Sequence, residues 1–379
     1  MSQKFQTTLN TALTLITQFQ TTLSAQPAPA SQPPQHNEPL DPLALLAAAA
    51  TALKSHVTKL SLLTITAPFT HSAVATILAT LNETVLPSLV AAALLLTPET
   101  HTRAYQGELR GLACTALREL GVLLGEVGGV GVATVTPTPP GGGSAAGKSA
   151  KTDSNQAGKD TVTGAAGRVW DACDVLVDVA GKGVIGFVIR RVEQYRDLVR
   201  DAVEEIEEWD PDEEGDEFFD ELLGDEGEKN DADDEEEEEE EEEDDEDDDQ
   251  ASKEALHAQK KSTLRVLKPI AQIYPVIISN RLTKASGSLG DVRKLEALMG
   301  DLQHIPEHVD EVAGALYEAD LEKAGQFLRK ARDCASNAIN SVVWPGNGKE
   351  TGEQIGDKFT TWSNTWMKVM EEVSKPIDR

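Results

Sequence analysis

Residues 168–209 read RVWDACDVLVDVAGKGVIGFVIRRVEQYRDLVRDAVEEIEEW, and this stretch decides the fold class. Val169, Ala172, Leu176, Val179, Val184, Val188, Val192, Tyr195, Val199, Ala202 and Ile206 recur mostly at steps of three and four. That is the stripe of an amphipathic helix, not the alternation of a strand. Unbroken, such a helix approaches about 60 Å at about 1.5 Å per residue. Gly181, Gly183 and Gly186 predict a bend or break, because glycine is a poor helix former.

The same spacing extends outward on both sides. Phe5, Leu9, Leu13, Ile16, Phe19 and Leu23 form a first stripe, ended by a Pro/Gln-rich gap at 26–39. Asp41-Pro42 opens a second helix through Leu46, Leu53, Val57 and Leu60: Asp caps free N–H groups and Pro suits the first turn. A third starts near Thr70 and passes Val74, Ile77, Leu81, Val85 and Leu89, with Pro87 predicted to kink or split it. Thr97-Pro98 repeats the start signal ahead of Tyr105, Leu109, Leu112, Ala116, Leu120 and Leu123. Beyond the central stretch, Leu256, Leu264, Leu267 and Ile270 lead into Tyr274-Pro275, followed by Val276, Ile278 and Leu282. Val292, Leu295, Leu298 and Leu302 predict a helix that Pro306 ends; Val309, Val312 and Leu316 predict another. Leu321 through Val342 make the next, and Ile355, Phe359, Trp362, Trp366, Val369 and Val373 the last. No convincing period-2 run exists, the Gly-laced 130–135 being the nearest.

The expected architecture is all-α, a two-lobed helical bundle. Residues 1–127 with 168–209 make the N-terminal bundle and 251–379 the C-terminal one. A Gly/Ser/Pro-rich low-complexity loop (128–167) and an acidic linker (210–250) are expected to be disordered.

Charge is concentrated in one block. Residues 201–249 hold 34 acidic side chains and one basic one, Lys229, whereas the rest of the chain is nearly neutral. Seventeen consecutive Asp/Glu residues run from 233 to 249. A polyanion repels phosphate, so nucleic-acid binding through this block is excluded. Phe218, Phe219, Leu222 and Leu223 interrupt its front half. Apolar anchors in an acidic tract suit a short partner-binding segment that folds on contact; the equal alternative is that DEFFDELL packs back on the body. Cys114, Cys173 and Cys334 are few and far apart, against both a disulfide framework and a thiolate metal site and in keeping with a reducing compartment. The N-terminal residues lack the unbroken apolar core of a signal peptide. The apolar runs at 43–50 and 89–96 stop short of about 18 residues, so no membrane span is expected. A soluble intracellular protein is the expectation.

Several motifs suggest chemistry that their context discounts. Gly142-Gly143-Ser144-Ala145-Ala146-Gly147-Lys148-Ser149 fits the phosphate-loop pattern, but prolines at 137, 139 and 140 stand where a buried strand is needed. His304-Ile305-Pro306-Glu307-His308 fits the inverted zinc-peptidase pattern, but Pro306 reads as a helix start between the two histidines. Leu120-Gly121-Val122-Leu123-Leu124 fits a groove-docking helix motif, yet its leucines continue a core stripe. Arg118-Glu119-Leu120 and Arg196-Asp197-Leu198 fit an Arg-x-Leu cyclin-docking tripeptide that any helical chain contains by chance. Trp362 and Trp366, four apart, read as core anchors. No nucleophile context is recognisable. A non-enzymatic protein without metal or cofactor is expected.

Lys59-Leu60-Ser61-Leu62-Leu63, Val169-Trp170-Asp171-Ala172-Cys173 and Val199-Arg200-Asp201-Ala202-Val203-Glu204-Glu205 resemble the cyclin-D1-binding protein family, whose members include a cyclin-D-interacting helix-loop-helix regulator without a basic region. Ile273-Tyr274-Pro275 with Ser279-Asn280-Arg281-Leu282 resembles that family's second half, so the resemblance spans roughly 45–345. The Gly/Ser-rich insert at 137–167 and the longer acidic run depart from it. The resemblance implies two helical lobes, a nuclear and cytoplasmic location, and negative regulation of cell-cycle progression or transcription through binding of cyclin-like or transcription-related proteins. The alternative, from the polyanion alone, is a chaperone for histones or other basic proteins.

Overall fold

The Asp41 carboxylate accepts from the backbone N–H groups of Leu43 (3.0 Å) and Ala44 (3.3 Å), so the Asp-Pro pair starts helix α2 (Pro42–Ile65) as its sequence predicts. The computed structural model describes residues 3–25, 41–133, 146–212, 242–284, 292–342 and 358–378. Among the described residues the regular elements are helical, with no strand. Besides α2 they are α1 (Gln3–Ser24), α3 (His71–Thr80), a π-helical turn (Leu81–Val85), α4 (Leu86–Leu95), α5 (Pro98–His101), α6 (Arg103–Ala133) and α7 (Ala146–Glu208). There follow α8 (Glu242–Ala271), α9 (Ile273–Ile277), a second π-helical turn (Ile278–Leu282), α10 (Val292–Tyr317), α11 (Leu321–Val342) and α12 (Lys358–Ser374). The protein is all-α.

The chain divides into two compact units, Met1–Phe187 and Val188–Arg379. In the first, α1 lies across a row of small residues on α6. A Cβ on Gly131 would sit 2.9 Å from the Phe5 ring, one on Gly128 3.0 Å from Leu9, and one on Gly121 3.7 Å from Ile16. The glycines let the two helices approach so that Phe5, Leu9 and Ile16 become buried. Around Gly131 the rings of Phe5, Phe69 and His71 meet edge to face, with centroids 4.8 to 5.8 Å apart. This close packing explains why α6 runs on to Ala133, where the Gly-laced sequence predicts a loop from 128.

Pro87 splits its helix as expected. It has no N–H for the carbonyl one turn back, and its ring crowds that carbonyl. The backbone widens into the π turn, and the Leu86 N–H bonds the Leu81 carbonyl, five residues back. By length and composition His71–Leu95 could cross a membrane, because its mean hydropathy is high although polar residues interrupt its apolar runs. In this unit Val74, Leu78, Leu81, Leu86 and Leu89 are fully buried, and the helix packs on α1, α2 and α6, the use of a core helix. The helix expected from Thr97 is two pieces: Thr102 turns to φ 57° after α5, and its hydroxyl then accepts from the Tyr105 N–H to start α6.

Helix α7 joins this unit through Lys54–Asp174 (2.6 Å), Arg168–Glu119 (3.0 Å) and the Tyr105 hydroxyl, which donates to the Val179 carbonyl (2.9 Å). Helical backbone in this helix begins at Ala146, within the stretch read as a low-complexity loop. Val162, Ala165, Ala166 and Val169 recur at helical spacing and are buried, which outweighs the intervening glycines. Of the three central glycines, Gly183 carries the predicted break (φ 66°, ψ −175°). Residues 188–209, expected with the N-terminal bundle, group with the second unit.

In that unit α10 and α11 pack along their lengths, joined by a turn in which Ala319 adopts φ 55°. Asp320 caps α11 by accepting from the Lys323 N–H (2.9 Å). Pro306 does not end a helix: α10 runs straight through it. The missing N–H leaves the Leu302 carbonyl without its helical donor, and the buried Tyr274 hydroxyl donates to that carbonyl instead (3.2 Å). The Ser279-Asn280-Arg281-Leu282 stretch forms the second π turn. Arg281, buried, donates from Nε to the carbonyl of Val342 at the end of α11 (2.8 Å), and its guanidinium lies 4.2 Å over the Phe359 ring. A cation at a helix C-terminus is favourable.

Helix α8 begins at Glu242, inside the segment expected to be disordered. Residues 134–145 and 213–241, the remaining parts of the expected loop and linker, lie outside the described residues, as does Ile355.

Candidate partner-binding groove

Pro269 sits near the end of α8, where the helix breaks before α9, and its carbonyl accepts from the indole N–H of Trp366 (2.9 Å). This bond seats α12 against α8. Trp366 is 5 % exposed, held by packing and by its polar handle. Trp362, one turn earlier, is half-buried, with its ring centroid 6.5 Å from that of Trp366. Both were read from the sequence as core anchors; Trp366 is one, whereas Trp362 forms a wall.

Between the two helices lies an open, mainly apolar groove lined by Pro269, Trp362, Trp366 and Val369, with Lys268, Gln272 and Thr365 at its edges. Val369 is 42 % exposed although it continues the buried stripe of α12. A second depression continues along the same seam, lined by Arg265, Glu372, Val373, Lys375 and Pro376. Its apolar wall and basic edge make the seam a surface for an amphipathic segment carrying acidic groups. The α12 stripe was legible in the sequence, but its opposing wall depends on the break at Pro269, which periodicity alone does not reveal.

The end of α7 reaches α8 in the same unit. Lys268 pairs with Glu207 (2.8 Å), and the Lys260 ammonium donates to the carbonyls of Glu207 (3.1 Å) and Trp209. Trp209 meets Tyr317 edge to face at 5.0 Å, and the Tyr317 hydroxyl donates to Glu205 (3.0 Å). Burial and the Glu205 carboxylate push the Tyr317 hydroxyl up to about 12. Asp210, Asp212 and His257 bring ligand atoms within 4.8 Å of one another, but all three are exposed, and the His257–Asp212 contact (3.1 Å) reads as a polar link between α7 and α8.

The other sequence candidates fall as follows. Phe218, Phe219, Leu222 and Leu223 lie outside the described residues. Leu120, Leu123 and Leu124 are fully buried, so the L-x-x-L-L face is spent on the core. Leu198, by contrast, is 55 % exposed on α7, but singly exposed leucines are ordinary. Lys148 stands on helical backbone in α7, and no described strand leads to it. The continuity of α10 puts His304 and His308 on one face, rings stacked at 6.3 Å, contrary to the expectation from Pro306. His304 Nδ1 lies 2.8 Å from Glu307, and that hydrogen bond holds the Glu307 carboxyl below its ordinary range. Burial, followed by the Lys330 charge, lowers His308.

The chain matches no curated protein and no solved structure. Residues 145–212 match the family model described as Grap2 and cyclin-D-interacting, N-terminal. The match contains the Val169–Cys173 and Val199–Glu205 motifs and most of the insert read as a departure from the family; the Lys59–Leu63 and Ile273–Leu282 motifs fall outside it. Over this helical segment the chain is similar to that family, which supports the resemblance read from the sequence there.

Proposed function

We propose that this chain is a non-enzymatic, protein-binding regulator that restrains cell-cycle progression or transcription, working in the nucleus and cytoplasm on cyclin-like or transcription-related partners. The family match over 145–212 carries this reading, because that family is described by what it interacts with. The α8–α12 groove supports it by offering a mainly apolar, basic-edged docking surface. The test is capture of D-type cyclin by the full chain, beside Val369→Glu, which puts a charge on the exposed groove wall. Capture that drops at least ten-fold in the variant is expected; absence of capture by the unaltered chain counts against the reading. Its regulatory half predicts that raising the level of the chain lowers the fraction of cells entering DNA synthesis.

A second reading rests on the seventeen-residue acidic run at 233–249, which suits shielding of basic proteins such as histones. Histone binding that collapses between 0.1 and 0.5 M salt and disappears when the run is deleted would favour it, since screening shortens to a few ångströms at high ionic strength (about 3 Å at 1 M).

A further inference from the structure

Helix α10 carries a pair of metal-ligating side chains one helical turn apart. Of the seven histidines in the chain, His304 and His308 are the two that stand four apart. Pro306 between them argues, in the sequence, against a shared face; the structure removes that objection, because α10 runs unbroken through it. Side chains four apart on a continuous helix are neighbours on one face. The two imidazoles are so placed, with ring planes 25° apart and centroids separated by 6.3 Å. A small rotation of each ring brings one nitrogen apiece to a common ion at the ordinary bond length of about 2.0–2.1 Å.

The surroundings prepare the pair for a cation. Glu307 Oε2 lies 2.8 Å from His304 Nδ1. An ionised carboxylate only accepts, so Nδ1 is the donor and the neutral ring keeps its lone pair at Nε2. A carboxylate behind a histidine in this way fixes the tautomer and orients the ring toward a metal. His308 is half-buried against Phe327, with centroids 5.9 Å apart, and its burial keeps the ring neutral at pH 7, as a ligand must be. The charges acting on the pair are Asp301, Glu307 and Glu311 from α10 and Lys330 from α11. Glu311 is tied to Lys323 (3.9 Å), and the Lys330 ammonium lies 4.1 Å over the Phe327 ring. Asp301 and Glu307 therefore outnumber Lys330, a balance that favours a divalent ion. Among the described residues no third His, Cys, Asp or Glu ligand atom converges with the two rings, so water completes the shell. A zinc peptidase centre has three protein ligands; two make a clip.

We propose that His304 and His308 chelate one imidazole-preferring divalent ion, Zn2+ or Cu2+, with Glu307 as the outer carboxylate, and that the ion staples α10 across Pro306. The bridged residues stand on either side of the proline, which cannot supply the helical N–H at its own position. An ion that binds the folded helix and not the unfolded chain raises stability by mass action. Imidazole donors select Zn2+ and Cu2+ over Ca2+ and Mg2+, which separates this clip from the oxygen ligands of the acidic run.

Equilibrium dialysis of the full chain against Zn2+ tests the clip, with every variant retaining the acidic run so that its uptake cancels. His304→Ala and His308→Ala should each weaken the tightest Zn2+ site at least ten-fold, whereas Asp210→Asn/Asp212→Asn should leave it unchanged. Glu307→Ala should weaken it about ten-fold, with Glu307→Gln recovering part of the loss by still accepting from Nδ1. Zn2+ should raise the Tm of the unaltered chain and not that of His304→Ala. His304 is exposed, so its variant should match the unaltered chain in Tm without metal. Cu2+ supplies a direct signature: its paramagnetic resonance spectrum should show coupling to two imidazole nitrogens, reduced in either histidine variant. Unchanged Zn2+ affinity in both histidine variants overturns the proposal, as does a Cu2+ spectrum with oxygen donors alone. Loss of the site in Asp210→Asn/Asp212→Asn also overturns it, by moving the ion to the cluster around His257.

Discussion

All four tyrosines, Tyr105, Tyr195, Tyr274 and Tyr317, hold their hydroxyl protons more tightly than free tyrosine, in each case chiefly through burial. A group with a raised folded pKa contributes stability that is intact below its unfolded value and is lost as pH climbs toward the folded one. The native protein should therefore show markedly less tyrosinate absorbance at pH 10 than the denatured chain, which is about half ionised there, and its stability should fall from about pH 10 upward. A normal titration midpoint near 10 in the native state would contradict this burial. Space decides the effect of single glycines in the same way. Gly131→Leu drives atoms into the buried Phe5 ring and should cost about 1–3 kcal/mol of stability. Gly125→Ala meets nothing within 4 Å on an exposed face and should leave Tm unchanged or raise it. Thermal unfolding of the pair checks both. At this scale the sequence showed glycine only as a weak helix former; that Gly131 is there for Phe5 depends on a neighbour more than a hundred residues away.

Among the helices, the Asp41 cap was legible because it is local: its carboxylate bonds the N–H groups two and three residues ahead. Prolines were harder, because their cost depends on who satisfies the freed carbonyl. Pro87 forces a wide turn, whereas Pro306 passes unnoticed because the Tyr274 hydroxyl reaches Leu302. The corresponding lesson for the groove is that a stripe such as Trp362, Trp366 and Val369 can be recognised, but whether each member is covered depends on the partner helix. The break in α7 yields a paired prediction. Gly183 lies in a backbone region essentially restricted to glycine, so Gly183→Ala should destabilise by about 1–3 kcal/mol. Gly181→Ala, with ordinary helical backbone and open space, should stabilise by about 0.5–1 kcal/mol. Equal melting shifts would mean that the break is not fixed by Gly183.

For the whole molecule, the charge excess sits in residues 201–249, and removing the larger part of it should be felt as a field effect. The net charge is −31, and residues 213–241 hold 19 acidic groups against Lys229. Raising NaCl from 20 to 300 mM should increase Tm by screening self-repulsion, and a chain lacking 213–241 should lose most of that response. The two-lobed architecture was visible from the gaps in periodicity, but the position of the division was not. The sequence suggests a cut at the acidic run, whereas the chain changes unit at 187/188, where Val188 and Val192 are buried with the second unit. That boundary falls inside the stretch that carries the family signature. Residues 145–212 therefore have no self-sufficient interior, and neither genetic shuffling nor a truncated clone could transplant them as a module. The signature marks a joint rather than a part, and descendants would have to inherit it with both of its flanks.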